Sequence, residues 1–144
     1  MGTPRPVLNQ LNLIVRDMEA TLVFYGRLGL AIPKDARKGP HHTELCMPGG
    51  FTLELDSREL AKAYNASARD PQAGSAVIGF GLASREEVDR LYAELTRAGH
   101  PGCQAPYDTF WGARYAIVAD PDGRQVGLMS PIDPARRSAP PPLA

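Results

Sequence analysis

The chain has little that would staple, anchor or charge it. Two cysteines in 144 residues, Cys46 and Cys103, are too few for a disulfide framework, and they form no CxxC spacing. They read as two reduced thiols, the state expected in the cytoplasm. No run is apolar over the ~20 residues that a bilayer-spanning helix needs. The opening Met1-Gly-Thr-Pro-Arg-Pro lacks the apolar stretch of a secretory leader, and Pro4, Arg5 and Pro6 spoil the match of its Met-Gly start to a myristoylation signal. Charge of one sign is missing as well. Lys and Arg number 16 and so do Asp and Glu, so neither nucleic acid nor a membrane is an expected partner. A Ser-His-Asp order, a P-loop, a Rossmann glycine pattern and a zinc motif are all absent. Gly79 and Gly81 sit in a strand pattern with no phosphate loop after it, so they carry no nucleotide role.

What is there is ordinary globular material, 43% hydrophobic and 22% charged, in a length suited to one domain. Leu11, Leu13 and Val15 alternate with Gln10, Asn12, Ile14 and Arg16, the period-two signature of a strand. Asp17 stands where a helix N-cap belongs. Met18, Leu22 and Tyr25 then share one helical face, and Gly29 supplies a left-handed terminator. Strand material is expected from Leu30 and again near Thr43 to Met47. A turn at Pro48-Gly-Gly precedes the alternating Phe51-Thr-Leu-Glu-Leu-Asp. This half reads β-α-β-β-β.

The second half repeats the plan. Ile78, Phe80 and Leu82 alternate with small residues. Ser84 and Glu87 form a capping box, and Val88, Leu91, Tyr92 and Leu95 make the apolar stripe of a helix that Gly99 closes. A strand is expected to end at Ala119, followed by a type I turn at Asp120-Pro-Asp-Gly123 and a last strand through Val126 and Leu128. Between the halves, Arg58 to Tyr64 suits a short helix within a polar linker. From Pro131 onward the chain is proline-rich, a composition that strips backbone donors and favours an extended tail. The expected organisation is one α+β domain over 1–134, with a first βαβββ module at 7–57, a linker at 58–73, a second βαβββ module at 74–130, and a tail at 135–144. Each module leaves one sheet face bare. Two together are expected to form a curved mixed, mostly antiparallel sheet with a concave cup.

Two segments carry a resemblance. Leu13-Ile-Val-Arg-Asp-Met-Glu-Ala-Thr-Leu-Val-Phe-Tyr resembles the first strand and helix of the glyoxalase/bleomycin-resistance/extradiol-dioxygenase (vicinal oxygen chelate) superfamily. Trp111-Gly-Ala-Arg-Tyr-Ala-Ile-Val-Ala-Asp-Pro-Asp-Gly-Arg-Gln-Val is similar to its closing hairpin, in the form common among bleomycin-resistance-like members. The resemblance spans roughly residues 7–130. It implies a cupped fold and often a homodimer, but no single chemistry, because the superfamily includes isomerases, epimerases, dioxygenases, transferases and metal-free binding proteins.

The resemblance also implies where a divalent ion is held in metal-bearing members, at four cup-facing positions. Carried onto this sequence they are Gln10, Glu54, Val77 and Gly127. Only the first two offer a donor, and a catalytic ion commonly takes three protein groups plus water. No cofactor is therefore expected, and Gln10 and Glu54 read as polar lining of a wet cavity. Glu54 is the candidate general base if burial raises its pKa. His41 and His42 point to opposite faces of a strand, so one of them, His42 among the ligand-binding candidates, borders the cup. His100 is expected at the surface. Tyr107, Phe110 and Trp111 crowd before a strand and suit stacking on a flat ligand, and the resemblance places Trp111 at the groove. Arg114 either binds a polar group of that ligand or pairs with an acidic neighbour.

These residues favour a metal-free, homodimeric binder of a small aromatic or amphipathic compound, such as an antibiotic or secondary metabolite. A metal-dependent lyase, isomerase or dioxygenase working through Gln10 and Glu54 is the alternative, and a metal-free enzyme using Glu54 or Tyr115 is a third reading.

Overall fold

The structure is a computed structural model that describes residues 4–36, 39–72, 74 and 76–142. The first three residues of the N-terminal segment, Ala73 and Ser75 around the start of the expected second module, and the last two residues of the tail lie outside them. The chain divides between Pro71 and Gln72 into two compact units.

In the first unit the strand β1 (Gln10–Val15) leads into the helix α1 (Met18–Leu28). Asp17 caps α1 by accepting from the Ala20 amide, and Gly29 ends it at φ 116°. That angle costs an L-residue with a Cβ but not glycine. β2 (His42–Cys46) and β3 (Thr52–Ser57) follow, and Ser57 caps the short helix α2 (Arg58–Tyr64) that the linker pattern predicts. The sheet order is β1-β3-β2, with β1 parallel and β2 antiparallel to the central β3. Leu13, Val15, Leu45, Leu53 and Leu55 fill one face and pack with Leu22, Phe24, Tyr25 and Leu28 of α1 into the buried core. The other face carries Gln10, Asn12, His42, Glu44, Thr52, Glu54 and Asp56, as the two-residue alternation requires.

One expected strand does not form. Residues 30–36 are irregular. The Leu30 amide donates to the Tyr25 carbonyl in the helix terminus, Pro33 has no amide, and Ala36 closes a turn onto Pro33. Amides at both ends of the stretch are used locally and Pro33 offers none, and among the described residues the first module has three strands rather than four.

The second unit has the full set: β4 (Val77–Gly81), α3 (Arg85–Arg97), β5 (Gly102–Asp108), β6 (Arg114–Ala119) and β7 (Gln125–Met129), in the order β4-β7-β6-β5. β4 and β7 are parallel, and β5-β6 and β6-β7 antiparallel. Val88, Leu91 and Leu95 of α3 bury with Ala116, Val118, Val126 and Leu128. Ser84 accepts from the Glu87 amide at 3.2 Å, as a capping residue does. The β6-β7 turn is held by Asp120, which is buried. Its Oδ1 accepts from the amides of Asp122 and Arg124 at 2.9 Å each, and its Oδ2 pairs with Arg124 Nη1 at 3.1 Å.

The proline-rich segment begins as more than a free tail. Asp133 caps a single 3-10 turn (Pro134–Arg136), its amide donates to the Gly112 carbonyl, and Ser138 donates to the Phe110 carbonyl, both at 2.9 Å. Among the described residues no helix is long and apolar enough to cross a membrane.

Asp120→Ala removes the side-chain acceptor of two turn amides and one of the two carboxylates that meet Arg124 Nη1, the other being Asp122 at 3.3 Å. It is expected to lower unfolding free energy by about 2 kcal/mol, seen as a lower urea midpoint at unchanged m-value, while Asp120→Asn loses less because its amide oxygen still accepts.

Candidate functional site

Each unit presents one sheet face that no helix core covers, and the two faces differ in chemistry. On the first, Asp56 is the organising group. It is only 1% exposed, and it accepts hydrogen bonds from Asn12 Nδ2 at 3.0 Å, from the Tyr64 hydroxyl at 2.7 Å and from His42 Nδ1 at 2.6 Å. These come from β1, α2 and β2, so one carboxylate joins three neighbours of β3. Burial pushes Asp56 up, but the hydrogen bonds from Asn12, His42 and Tyr64 outweigh it and leave its carboxyl below the ordinary 3.8. The hydrogen bond to Asp56 raises His42 above 6.5, against a smaller opposing effect of burial. Burial and the Asp56 carboxylate push Tyr64 up to about 12, so its hydroxyl stays a donor at neutral pH.

The outer ring nitrogen of His42 turns toward two more carboxylates. Nε2 lies 3.5 Å from Glu44 Oε1 and 3.8 Å from Glu54 Oε1. His42 and Glu44 also line a cleft of about 590 Å3 with Asp35, Gly39, Thr43 and Cys46. Gln10 stands on the same face, opposite Thr52 rather than Glu54, and its amide donates to Asn12 Oδ1 at 3.1 Å. His41 faces away and meets the Ser57 hydroxyl at 2.8 Å. The structure thus gathers His42 with Glu54, and adds Asn12, Glu44, Asp56 and Tyr64, which the sequence reading does not single out. The alternation His42-Thr43-Glu44 is the signal that was available, since residues two apart on a strand share a face.

The second face is apolar and flat. Val77, Gly79, Gly81, Tyr115 and Met129, with Phe80, line a cavity of about 320 Å3. A Cβ on Gly127 would stand 2.9 Å from the Tyr115 hydroxyl oxygen and 3.2 Å from a Val77 methyl, so Tyr115 lies over the space that a side chain would need. Trp111 borders this floor. Its indole donates to the Met129 sulfur at 3.4 Å, and its ring meets Tyr115 edge-on at 5.8 Å and Phe110 edge-on at 5.1 Å. Tyr107 extends the row, 6.3 Å from Tyr115. Such edge-to-face contacts hold aromatic rings at fixed angles. Gly112 (φ 95°) lets the tail approach, since a Cβ there would lie 2.4 Å from the Asp133 carbonyl oxygen. Arg114 bonds Asp89 at 2.9 Å and Asp108 at 3.3 Å, and Arg85 also pairs with Asp108. Its guanidinium is therefore taken up by acidic neighbours. His100 is half-buried just beyond α3.

The sequence model of the Glyoxalase/Bleomycin resistance protein/Dioxygenase superfamily matches residues 7–128. The chain belongs to this superfamily. An uncharacterised protein of Mycobacterium bovis is 27% identical over 125 residues, covering 84% of this chain and 81% of its own. Among solved structures, a glyoxalase-related enzyme from Fulvimarina pelagi superposes with a TM-score of 0.76 at 24% identity, over 87% of this chain and 88% of that one. A glyoxalase/bleomycin resistance protein/dioxygenase from Nocardioides gives 0.71 at 24% identity, over 99% and 93%. At these identities the structural likeness is one of fold.

The residues at the superfamily's metal positions do not fit an ion. Val77 offers no donor, and Gly127 has neither a side chain nor room for one beneath Tyr115. Gln10 and Glu54 are donors on one sheet face, but two fall short of the three protein groups that a catalytic ion commonly takes.

The His42–Asp56 pair makes a signed prediction. Protonated His42 contributes stability fully below 6.5, lost as pH rises through its raised folded value. Ionised Asp56 contributes above 3.8, lost as pH falls through its lowered folded value. The pair is therefore most stabilising between these limits. In an NMR titration the His42 imidazole should titrate above 6.5, and Asp56→Asn should bring it back toward that value; an unchanged midpoint would sink the assignment.

Proposed function

We propose that this protein binds a small, planar, largely apolar molecule on the open sheet face of its second unit, without the metal ion held at the superfamily's four shared positions. The observation that carries this reading is Tyr115 over Gly127. Where a metal-bearing member would present a ligand, this chain has a glycine floor closed by a phenol ring. Glycines at 79 and 81 leave the sheet flat enough for a ring system to lie against the backbone, and Tyr115, Met129 and Trp111 supply polarisable edges around it. A shallow apolar floor with few polar groups suits sequestration of an aromatic compound, such as an antibiotic or secondary metabolite, better than bond-making chemistry. Burial raises the Tyr115 pKa, with a smaller push from Tyr107, so its hydroxyl is a neutral donor that can fix the orientation of a carbonyl or hydroxyl on the ligand.

The alternative, a metal-dependent enzyme through Gln10 and Glu54, draws less support because the Gln10 amide is directed to Asn12 and its register partner is Thr52. Arg114 is not assigned to the ligand, since Asp89 and Asp108 hold it.

The test uses Trp111, the chain's single tryptophan. Titration with a panel of planar aromatic metabolites should quench or shift its emission for at least one compound. Truncating a stacked aromatic costs about 1–3 kcal/mol, roughly five- to 150-fold in affinity. For the binding compound, Gly79→Val, which fills the floor, should weaken binding, and Trp111→Ala should weaken it within that range when read by calorimetry. Circular dichroism should be unchanged in both variants. A folded protein that binds no member of the panel, or binds equally well with the floor filled, defeats the reading.

A further inference from the structure

The first unit carries a cluster that the aromatic floor of the second does not use. The geometry points to a divalent-cation site formed by His42 Nε2, Glu44 and Glu54 on the open face of the β1-β3-β2 sheet.

Three independent features support it. The first is a broken local rule. Glu44 and Glu54 are direct cross-strand partners in the antiparallel β2-β3 ladder. Like charges placed directly opposite one another on a sheet are destabilising. A positive charge between them removes that penalty, and Nε2 of His42 stands on the same face beside both.

The second feature is spacing. One ligand atom from each of the three residues can be chosen so that all lie within 4.8 Å of one another. Donors bound about 2.1 Å from an ion sit about 3.0–3.5 Å apart in octahedral or tetrahedral coordination. The separations of 3.5 and 3.8 Å are close to that range, and both exceed the 2.7–3.2 Å of an N–H···O hydrogen bond. At the histidine the gaps are too wide for good hydrogen bonds and within a few tenths of an ångström of the spacing around an ion, and the three donors as a set lie within 4.8 Å of one another.

The third is the buried partner of the histidine. Asp56 holds Nδ1 at 2.6 Å and is itself fixed by Asn12 and Tyr64. A carboxylate on one ring nitrogen of a metal-binding histidine sets the tautomer that leaves the other nitrogen free to ligate and locks the ring plane. Asp56 supplies this in full, and it lies behind His42 rather than among the three donors.

One imidazole and two carboxylates suit first-row divalent ions such as Mn(II), Fe(II), Co(II) or Zn(II), more than Mg(II), which favours oxygen and keeps its water, or Cu(I), which favours sulfur. Three protein donors leave coordination positions for water or a small ligand, and the cleft bordered by His42 and Glu44 adjoins them. Of the superfamily's four metal positions only Glu54 takes part. The other two donors come from β2.

The test is Mn(II) titration of tag-free, chelator-stripped full-length protein, followed by loss of the free-ion EPR signal and by calorimetry, with Co(II) absorption as a second signature. Binding should be one ion per chain. His42→Ala and Glu54→Gln should each weaken it at least tenfold, as should the exposed Glu44→Gln, a change tolerated by the fold. Asp56→Asn should weaken it by about tenfold or more through loss of ring orientation. Gln10→Ala and Trp111→Ala should leave it within twofold. No stoichiometric ion overturns the proposal and leaves His42 as an ion-pair partner only. Loss on Gln10→Ala with indifference to His42→Ala also overturns it, in favour of the superfamily's own positions. Because the titration contains no aromatic compound, its outcome is separate from that of the Trp111 experiment.

Discussion

Asp56 accepts three hydrogen bonds while almost wholly removed from water, and the polar face of the first unit depends on it. A buried carboxylate is tolerable only when its lone pairs are taken up, and removing one partner leaves an uncompensated charge. Here the three donors arrive from β1, β2 and α2, so satisfying one group also fixes the positions of Asn12, His42 and Tyr64. The order of the face is a consequence of that requirement. His42 cannot rotate without breaking the shortest of the three bonds, and its outer nitrogen is therefore held toward Glu44 and Glu54.

The second unit solves a different packing problem. Its sheet buries one face under α3, and on the other it replaces side chains with backbone at Gly79 and Gly81 of β4 and at Gly127 of β7, which lies beneath Tyr115. Glycine in a strand weakens it, because no side chain packs there and the unfolded chain has more freedom. That weakness is acceptable where another group must approach the backbone, and here Tyr115 does so. The tail then holds the aromatic turn from outside through Asp133 and Ser138. One fold thus carries a polar, acidic face and a flat, aromatic one, each built by its own unit.

Much of the fold was legible because its determinants are local. Asp17, Gly29 and Ser84 stop and start helices through their own backbone geometry, and they do so as their positions predict. The alternation of Leu53 and Leu55 with Glu54 puts the leucines in the core and the carboxylate outside it. The missing strand at Leu30 escaped because its failure is also local but subtler: the Leu30 amide was already committed to the helix end, and Pro33 had none to offer. A hydrophobic pattern does not report which amides are free.

The sequence by itself determined the family, the helix and strand types, the turn at Asp120 and the concentration of aromatic residues around Trp111. The elements and the turn follow from spacing along the chain, within reach of one helical turn or one strand pleat, and the family from the resemblance of the segments around Asp17 and Asp120. Only the tertiary structure decided that Glu44 faces Glu54, that Asp56 turns His42, that Tyr115 covers Gly127 and that Arg114 is held by Asp89 and Asp108. Those pairings are matters of register between segments far apart in sequence. A slip of one residue would carry every side chain of a strand to the opposite face. Composition and periodicity are unchanged by such a slip, so they hold no record of which neighbour a side chain meets.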